Sequence, residues 1–156
     1  WTVSSVYIDN PATLKIESVM ILEDFVMADH QGVSRALTIT QEFAKKADAP
    51  QAVRVRLLLV IEELLVNVIK HGRPPAGSRI EFGLTLMEDR IEIRQMDAGA
   101  PFDPRTDIPT LSREDAVLGG IEGGVGWPMI LQWCEFIAYE RTGDRNKLVL
   151  ALDFPR

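Results

Sequence analysis

Residues 57–72 read LLLVIEELLVNVIKHG, from Leu57 to Gly72. Aliphatic side chains at Leu57, Leu58, Leu59, Val60, Ile61, Leu64, Leu65, Val66, Val68 and Ile69 fall on every side of a helical wheel, which predicts a helix covered nearly all round. Glu63, Asn67 and His71 interrupt that pattern at i, i+4 and i+8, so a carboxylate, a carboxamide and an imidazole share one stripe. Burying polar groups costs free energy unless they are partnered, so the stripe is expected to face a polar cleft or a bound ligand. The plainer alternative is one wet face, with Glu62, Glu63 and Lys70 solvated and His71 helping to close the helix before Gly72.

On the downstream side, RPPAGS breaks the helix and two strands follow. Arg79 to Met87 alternates Ile80, Phe82, Leu84 and Leu86 against Glu81, Gly83 and Thr85; Glu88-Asp89 turns into Arg90 to Met96. The pair predicts a hairpin with one packed and one wet face. Its second strand runs into Asp97, where a strand end can present a carboxylate to a pocket. The stretch from Pro104 to Gly124 is too polar and turn-rich for a regular core element, and loops of such length are usually lids or mobile segments. It closes on Gly119-Gly120-Ile121-Glu122-Gly123-Gly124-Val125-Gly126 and an apolar run, Trp127 to Phe136, expected to be helical with Pro128 in its first turn. Glycines just before a helix leave N–H groups free for an anion, reinforced by the helix dipole, which makes a phosphate seat. Phe136 to Arg141 and Lys147 to Phe154 are expected to form a closing hairpin around Thr142–Asn146.

On the upstream side, Ala12 to Val19 is expected to be a first strand, and Met20 to Ala28 either a short helix or an extended connector. Val33 to Ala47 carries a helical apolar stripe ended by the Asp48-Ala49-Pro50 turn, with Pro50 suited to the first turn of the Leu57 helix.

A chain of 156 residues suits one domain, here taken as residues 1–156, with a real core. Hydrophobic residues make up 46% and charged ones 26%, a balance typical of globular proteins. The net charge of -6, with none of the 17 Lys and Arg forming a block, argues against a nucleic-acid surface and points to protein or small-molecule partners. The one cysteine, Cys134, fits a reducing compartment and a buried thiol, hence a cytoplasmic location. No apolar run approaches a membrane span. The first residue is Trp1 and WTVSSVYID lacks signal-peptide character, so the chain is read as a piece of a longer protein.

Alone, GGVGW is a short glycine pattern: it lacks the preceding strand of a dinucleotide-binding turn and the GK[ST] of a P-loop. Order and spacing carry more. Glu-xxx-Asn on a buried helix, a strand ending in Asp-x-Gly, and a mobile stretch ending in Gly-x-Gly before a helix resemble the ATP-binding domain shared by gyrase, histidine kinases and MutL. Within it the closest resemblance is to the anti-sigma-factor serine kinases of bacterial partner switching: EELLVNVIKHG (Glu62 to Gly72) looks like that family's N box, DAGAPFDP (Asp97 to Pro104) its first Gly box, and EGGVGW (Glu122 to Trp127) its second. The resemblance covers about Leu14 to Phe154. Departures are Pro101 in place of the second glycine of Asp-x-Gly-x-Gly, and Trp127-Pro128 after the second box. Neither His30 nor His71 convincingly supplies a phosphoaccepting histidine, which weighs against a histidine kinase.

The resemblance implies a two-layer α/β sandwich (α+β) with a mixed, mostly antiparallel sheet of about five or more strands, helices on one face, and ATP with Mg²⁺ held between helices and lid. It implies Asn67 as the Mg²⁺ ligand through its amide oxygen, Glu63 as the general base, and Asp97 as the acceptor of the adenine amino group. Gly99 would let the backbone approach the ring, Gly124 and Gly126 would offer N–H groups to phosphates, and Gly123 would ease lid closure. His71 falls at a position that can lie near the phosphates; as a helix C-terminal cation it would instead satisfy carbonyls. Arg105 and Arg113 are lid bases that could reach a phosphate. The implied activity is an ATP-dependent serine/threonine protein kinase that binds a sigma factor or similar regulator and phosphorylates a serine on its antagonist. The Val33 to Ala47 helix and the N-terminal strand are candidates for a homodimer contact. The alternative is a nucleotide-binding interaction module with little kinase activity, part of a multidomain regulator.

Overall fold

In β1 (Met20–Met27), Leu22 and Val26 turn inward and are buried, while Phe25 and Met27 face out. That period-two burial resolves the ambiguous segment as strand. The expected strand Ala12 to Val19 lies outside the described residues: the computed structural model describes residues 20–107 and 126–153. Asp29 caps α1 (His30–Lys46), its carboxylate accepting from the Gly32 N–H at 2.7 Å. Val33, Ala36, Ile39, Thr40, Phe43 and Ala44 form the buried stripe of α1.

Pro50, with ψ 148°, stands just before α2 (Gln51–Asn67) rather than inside its first turn. Val53, Leu57, Val60, Ile61, Leu64 and Leu65 of α2 are buried. Full burial of a Leu or Ile contributes about 1.5–3 kcal/mol, so this face anchors the helical layer. The helix is not covered all round, however: Val55 is 49% and Leu59 37% exposed. Among the described residues one helical layer covers the sheet, with α1 flanking α2, so the outermost stripe meets solvent. The helix also changes character at its end. Val68–Gly72 forms a π-helical turn closed by Arg73 in the left-handed region at φ 44°. A wider turn displaces side chains from α-helical register, so His71 leaves the Glu63–Asn67 line and is exposed.

The remaining elements among the described residues are β2 (Arg79–Leu86), β3 (Arg90–Asp97), a single helical turn α3 (Pro104–Asp107), α4 (Gly126–Trp133), β4 (Cys134–Thr142) and β5 (Arg145–Asp153). The expected helix from Trp127 to Phe136 thus stops at Trp133. Cys134 and Phe136 pair with Leu152 and Leu150 of β5, and sheet pairing overrides the helical reading. Beyond α3, the stretch expected to be irregular lies outside the described residues up to Gly126.

The five strands run in the order β1-β2-β3-β5-β4, every described ladder antiparallel. Leu22 opposes Leu84, Leu84 opposes Ile93, and Ile93 opposes Leu150, a continuous apolar row under the helices. The expected two-layer arrangement is therefore present. On the other face, Arg94 pairs with Glu23, Arg90 with Glu135 at 3.1 Å and Arg145 with Glu81 at 2.8 Å. These exposed pairs keep that face wet and contribute little stability. No helix among the described residues is long and apolar enough to cross a membrane.

Cys134 is 6% exposed, and burial, helped by the charge of Asp153, pushes its thiol up from 9.0 to about 12. The folded state then holds the proton more tightly than the unfolded one, so stability present below pH 9 is lost as pH rises from 9 toward 12. Iodoacetamide at pH 8 is expected to leave the native protein unmodified and to label it only in denaturant; fast native labelling would mean an accessible thiolate.

Candidate functional site

Asp97 ends β3 and is 4% exposed. Oδ1 accepts from the Gly99 N–H at 2.8 Å and from Asn146 Nδ2 at 2.9 Å, and Oδ2 accepts from Gln95 Nε2 at 3.1 Å. Gln95 stands two residues earlier on the same strand face, and Asn146 is the cross-strand partner of Asp97 on β5. Three N–H donors converge on the two oxygens, so the carboxylate acts only as an acceptor. With about two lone-pair sites per oxygen, Oδ2 keeps capacity for one further donor.

The chain after Asp97 folds back against the end of α2. Ala100 N–H donates to the Gly72 carbonyl at 2.7 Å. A Cβ on Gly99 would lie 2.9 Å from Asp97 Oδ1 and 3.0 Å from the Gly72 Cα. The close approach that demands glycine here is therefore to another stretch of backbone and to the Asp97 carboxylate. This contact joins the first Gly box to the π-turn that follows Asn67.

Glu63 and Asn67 lie one turn apart on α2, both half-buried. Gly126, the first residue of α4, is packed against the Glu63 carboxylate: a Cβ there would overlap Glu63 Oε2 and sit 3.0 Å from Cδ. The positive end of the α4 dipole thus faces the Glu63 carboxylate. Phe102 and Trp127 are stacked at a tilt, ring centroids 5.4 Å apart, which ties the chain after Asp97 to the start of α4. Trp127 accordingly has a packing role. Gly123, Gly124 and Arg113 lie outside the described residues. Arg105 is already engaged, bound to Asp103 at 2.6 Å and lying 5.1 Å over the Phe136 ring; its hydrogen bond holds the Asp103 carboxyl below the usual range.

The model of the histidine kinase-like ATPase domain matches residues 26–152, which include both α2 and Asp97. The chain belongs to this family. No curated protein matches it. Domains of this family bind ATP, typically with Mg²⁺, and the histidine kinase-like ATPase domain described here has groups that suit both. The Asp97 carboxylate keeps spare acceptor capacity at Oδ2, which suits an exocyclic amine. The Asn67 amide nitrogen is buried without a partner, and its carboxamide oxygen suits a hard cation that otherwise takes phosphate and water oxygens. Glycine at position 126 lets the start of α4 pack directly against the Glu63 carboxylate, one turn from Asn67.

Four residues that shape the site were not singled out by their sequence context: Gln95, Tyr139, Arg141 and Asn146. Asn146 was expected in a turn. The β4–β5 hairpin instead closes through Gly143 and Asp144 alone, pairing Thr142 with Arg145 and putting Asn146 in the strand. The available signal was the Gly-Asp dipeptide, a two-residue hairpin turn.

Proposed function

We propose that this histidine kinase-like ATPase domain is an ATP-dependent serine/threonine protein kinase of the anti-sigma-factor type, acting in the cytoplasm. The supporting observation is Glu63, one turn before Asn67 on α2 and packed against Gly126 at the N-terminus of α4. A base in that place lies beside the backbone that would receive phosphates. The chemistry Mg²⁺ would supply when bound is neutralisation of the charge that develops during transfer. Asn67 would hold that ion by its amide oxygen, and Asp97 would take the adenine amino group. Glu63 accepts the proton of the incoming serine hydroxyl as the serine oxygen bonds to the γ-phosphorus and the bond to the β–γ bridging oxygen breaks, releasing ADP. His71, exposed at the π-turn, and the glycines of the second Gly box, Gly123, Gly124 and Gly126, complete the nucleotide surround.

The serine belongs to a small antagonist protein that competes with this domain for a sigma factor or similar regulator. A homodimer through α1 or the N-terminal segment is part of the same reading. The test is incubation with radiolabelled Mg·ATP and candidate antagonists. Acid-stable phosphoserine on the antagonist is the expected product. Acid-labile phosphohistidine would overturn the serine assignment, and nucleotide binding without transfer to any candidate would favour an interaction module within a multidomain regulator.

A further inference from the structure

Three polar side chains of the hairpin β4–β5, Tyr139, Arg141 and the buried Asn146, bond to one another and to the chain from Asp97 to Phe102. Asn146, 6% exposed, donates through Nδ2 to Asp97 Oδ1 at 2.9 Å, the Ala100 carbonyl at 3.0 Å and the Gly99 carbonyl at 3.3 Å. Its Oδ1 accepts from Arg141 Nη1 at 2.6 Å and from the Tyr139 hydroxyl at 2.9 Å. Arg141 Nη1 also donates to the Gly99 carbonyl at 3.1 Å, and the Tyr139 oxygen accepts from the Phe102 N–H at 3.2 Å.

The orientation of the Asn146 amide follows from its partners. A guanidinium can only donate, so the oxygen must face Arg141, and the amino group then faces the Asp97 carboxylate and two carbonyls. The geometry also depends on one irregularity. The β4 register shifts between Phe136 and Ala138, so Tyr139 opposes Leu148 and Arg141 opposes Asn146. Without that extra residue, Ala138 and Glu140 would take the inward face, because strand side chains alternate.

We propose that Asn146, held by Tyr139 and Arg141, is a positioning residue that sets nucleobase selectivity. It fixes the Asp97 carboxylate and the Gly99–Ala100 backbone in the arrangement that accepts a 6-amino purine and rejects a 6-oxo purine. The proposal rests on the reading of Asp97 as the adenine acceptor. Asn146 acts through Asp97 and the turn, not by touching the ligand.

The experiment compares the affinities of the whole protein for ADP and IDP, which differ at purine position 6 and the adjacent ring nitrogen. The unmodified protein is expected to prefer ADP. Asn146→Ala is expected to weaken ADP roughly tenfold or more while leaving IDP nearly unchanged, so the ratio collapses. Tyr139→Phe, nearly isosteric and so safe for folding, is expected to reduce the ratio in the same direction by about threefold. It decides the matter if Asn146→Ala does not fold. Parallel weakening of both nucleotides, or an unchanged ratio in both variants, would show that the hairpin contributes only to stability and overturn the proposal. A different result, no ADP preference in the unmodified protein, would remove the Asp97 assignment itself.

Discussion

Asp97→Asn is expected to abolish the rise in melting temperature that ADP or ATP with Mg²⁺ produces in the unmodified protein. At about a hundred times its dissociation constant a ligand contributes roughly 2.7 kcal/mol, which for a domain of this size raises the midpoint by roughly 5 to 10 °C. The substitution should spare the fold for a reason visible around the site. An asparagine at position 97 can keep its oxygen toward the Gly99 N–H and Asn146 Nδ2, the present donors to Oδ1. Its new amino group then faces Gln95, whose Oε1 is buried without a partner. Rotating the Gln95 amide presents that oxygen as an acceptor, so the internal network closes again. What cannot be restored is the spare acceptor capacity of Oδ2, the position that would meet an exocyclic amine. Differential scanning fluorimetry with and without nucleotide checks this. A midpoint without nucleotide within a few degrees of the parent, together with a lost ligand shift, is the expected pattern; a full shift in the variant would exclude Asp97 as the base acceptor.

Glu63→Gln is expected to behave in the opposite way, binding nucleotide within a few-fold of the parent while phosphotransfer falls by roughly 10²- to 10⁴-fold, the usual contribution of a positioned general base. Glutamine preserves the volume that fills the space beside Gly126, where the Glu63 carboxylate now packs, so α4 should stay in place. It removes the basic oxygen and the charge facing the α4 N-terminus, an effect of about 0.3–1 kcal/mol on stability. Single-turnover transfer to an antagonist, measured beside equilibrium binding, separates the two functions. Equal transfer rates in parent and variant would take Glu63 out of the chemistry.

Much of this arrangement follows from local pattern. Alternation from Ile80 to Leu86 and from Ile91 to Ile93 defined a hairpin whose second strand had to end near Asp97, and the structure carries β3 to that residue. The spacing of Glu63 and Asn67 put both on one face of a helix, and α2 includes both. Local pattern failed where a tertiary partner changed the outcome. Nothing in VNVIKHG separates an α-turn from the π-turn that moves His71 out of line. The run after Trp127 reads as helix until β5 offers Cys134 and Phe136 a ladder.

The amino-acid order alone accounts for the buried face of α2, the pairing of β2 with β3, and the presence of a carboxylate, a carboxamide and glycines in the order of an ATP site. Each of these depends on neighbours within one helical or strand period, which a linear pattern encodes. The contact of Gly99 with Gly72, the seating of Gly126 on Glu63, and the meeting of Asn146 with Asp97 came only from the folded chain. Their partners are 27, 63 and 49 positions apart in sequence, and in the last case the Tyr139 and Arg141 that hold Asn146 face inward only because one bulged residue in β4 reverses the alternation. Long-range backbone approach and strand parity are properties of packing, and no local period carries them.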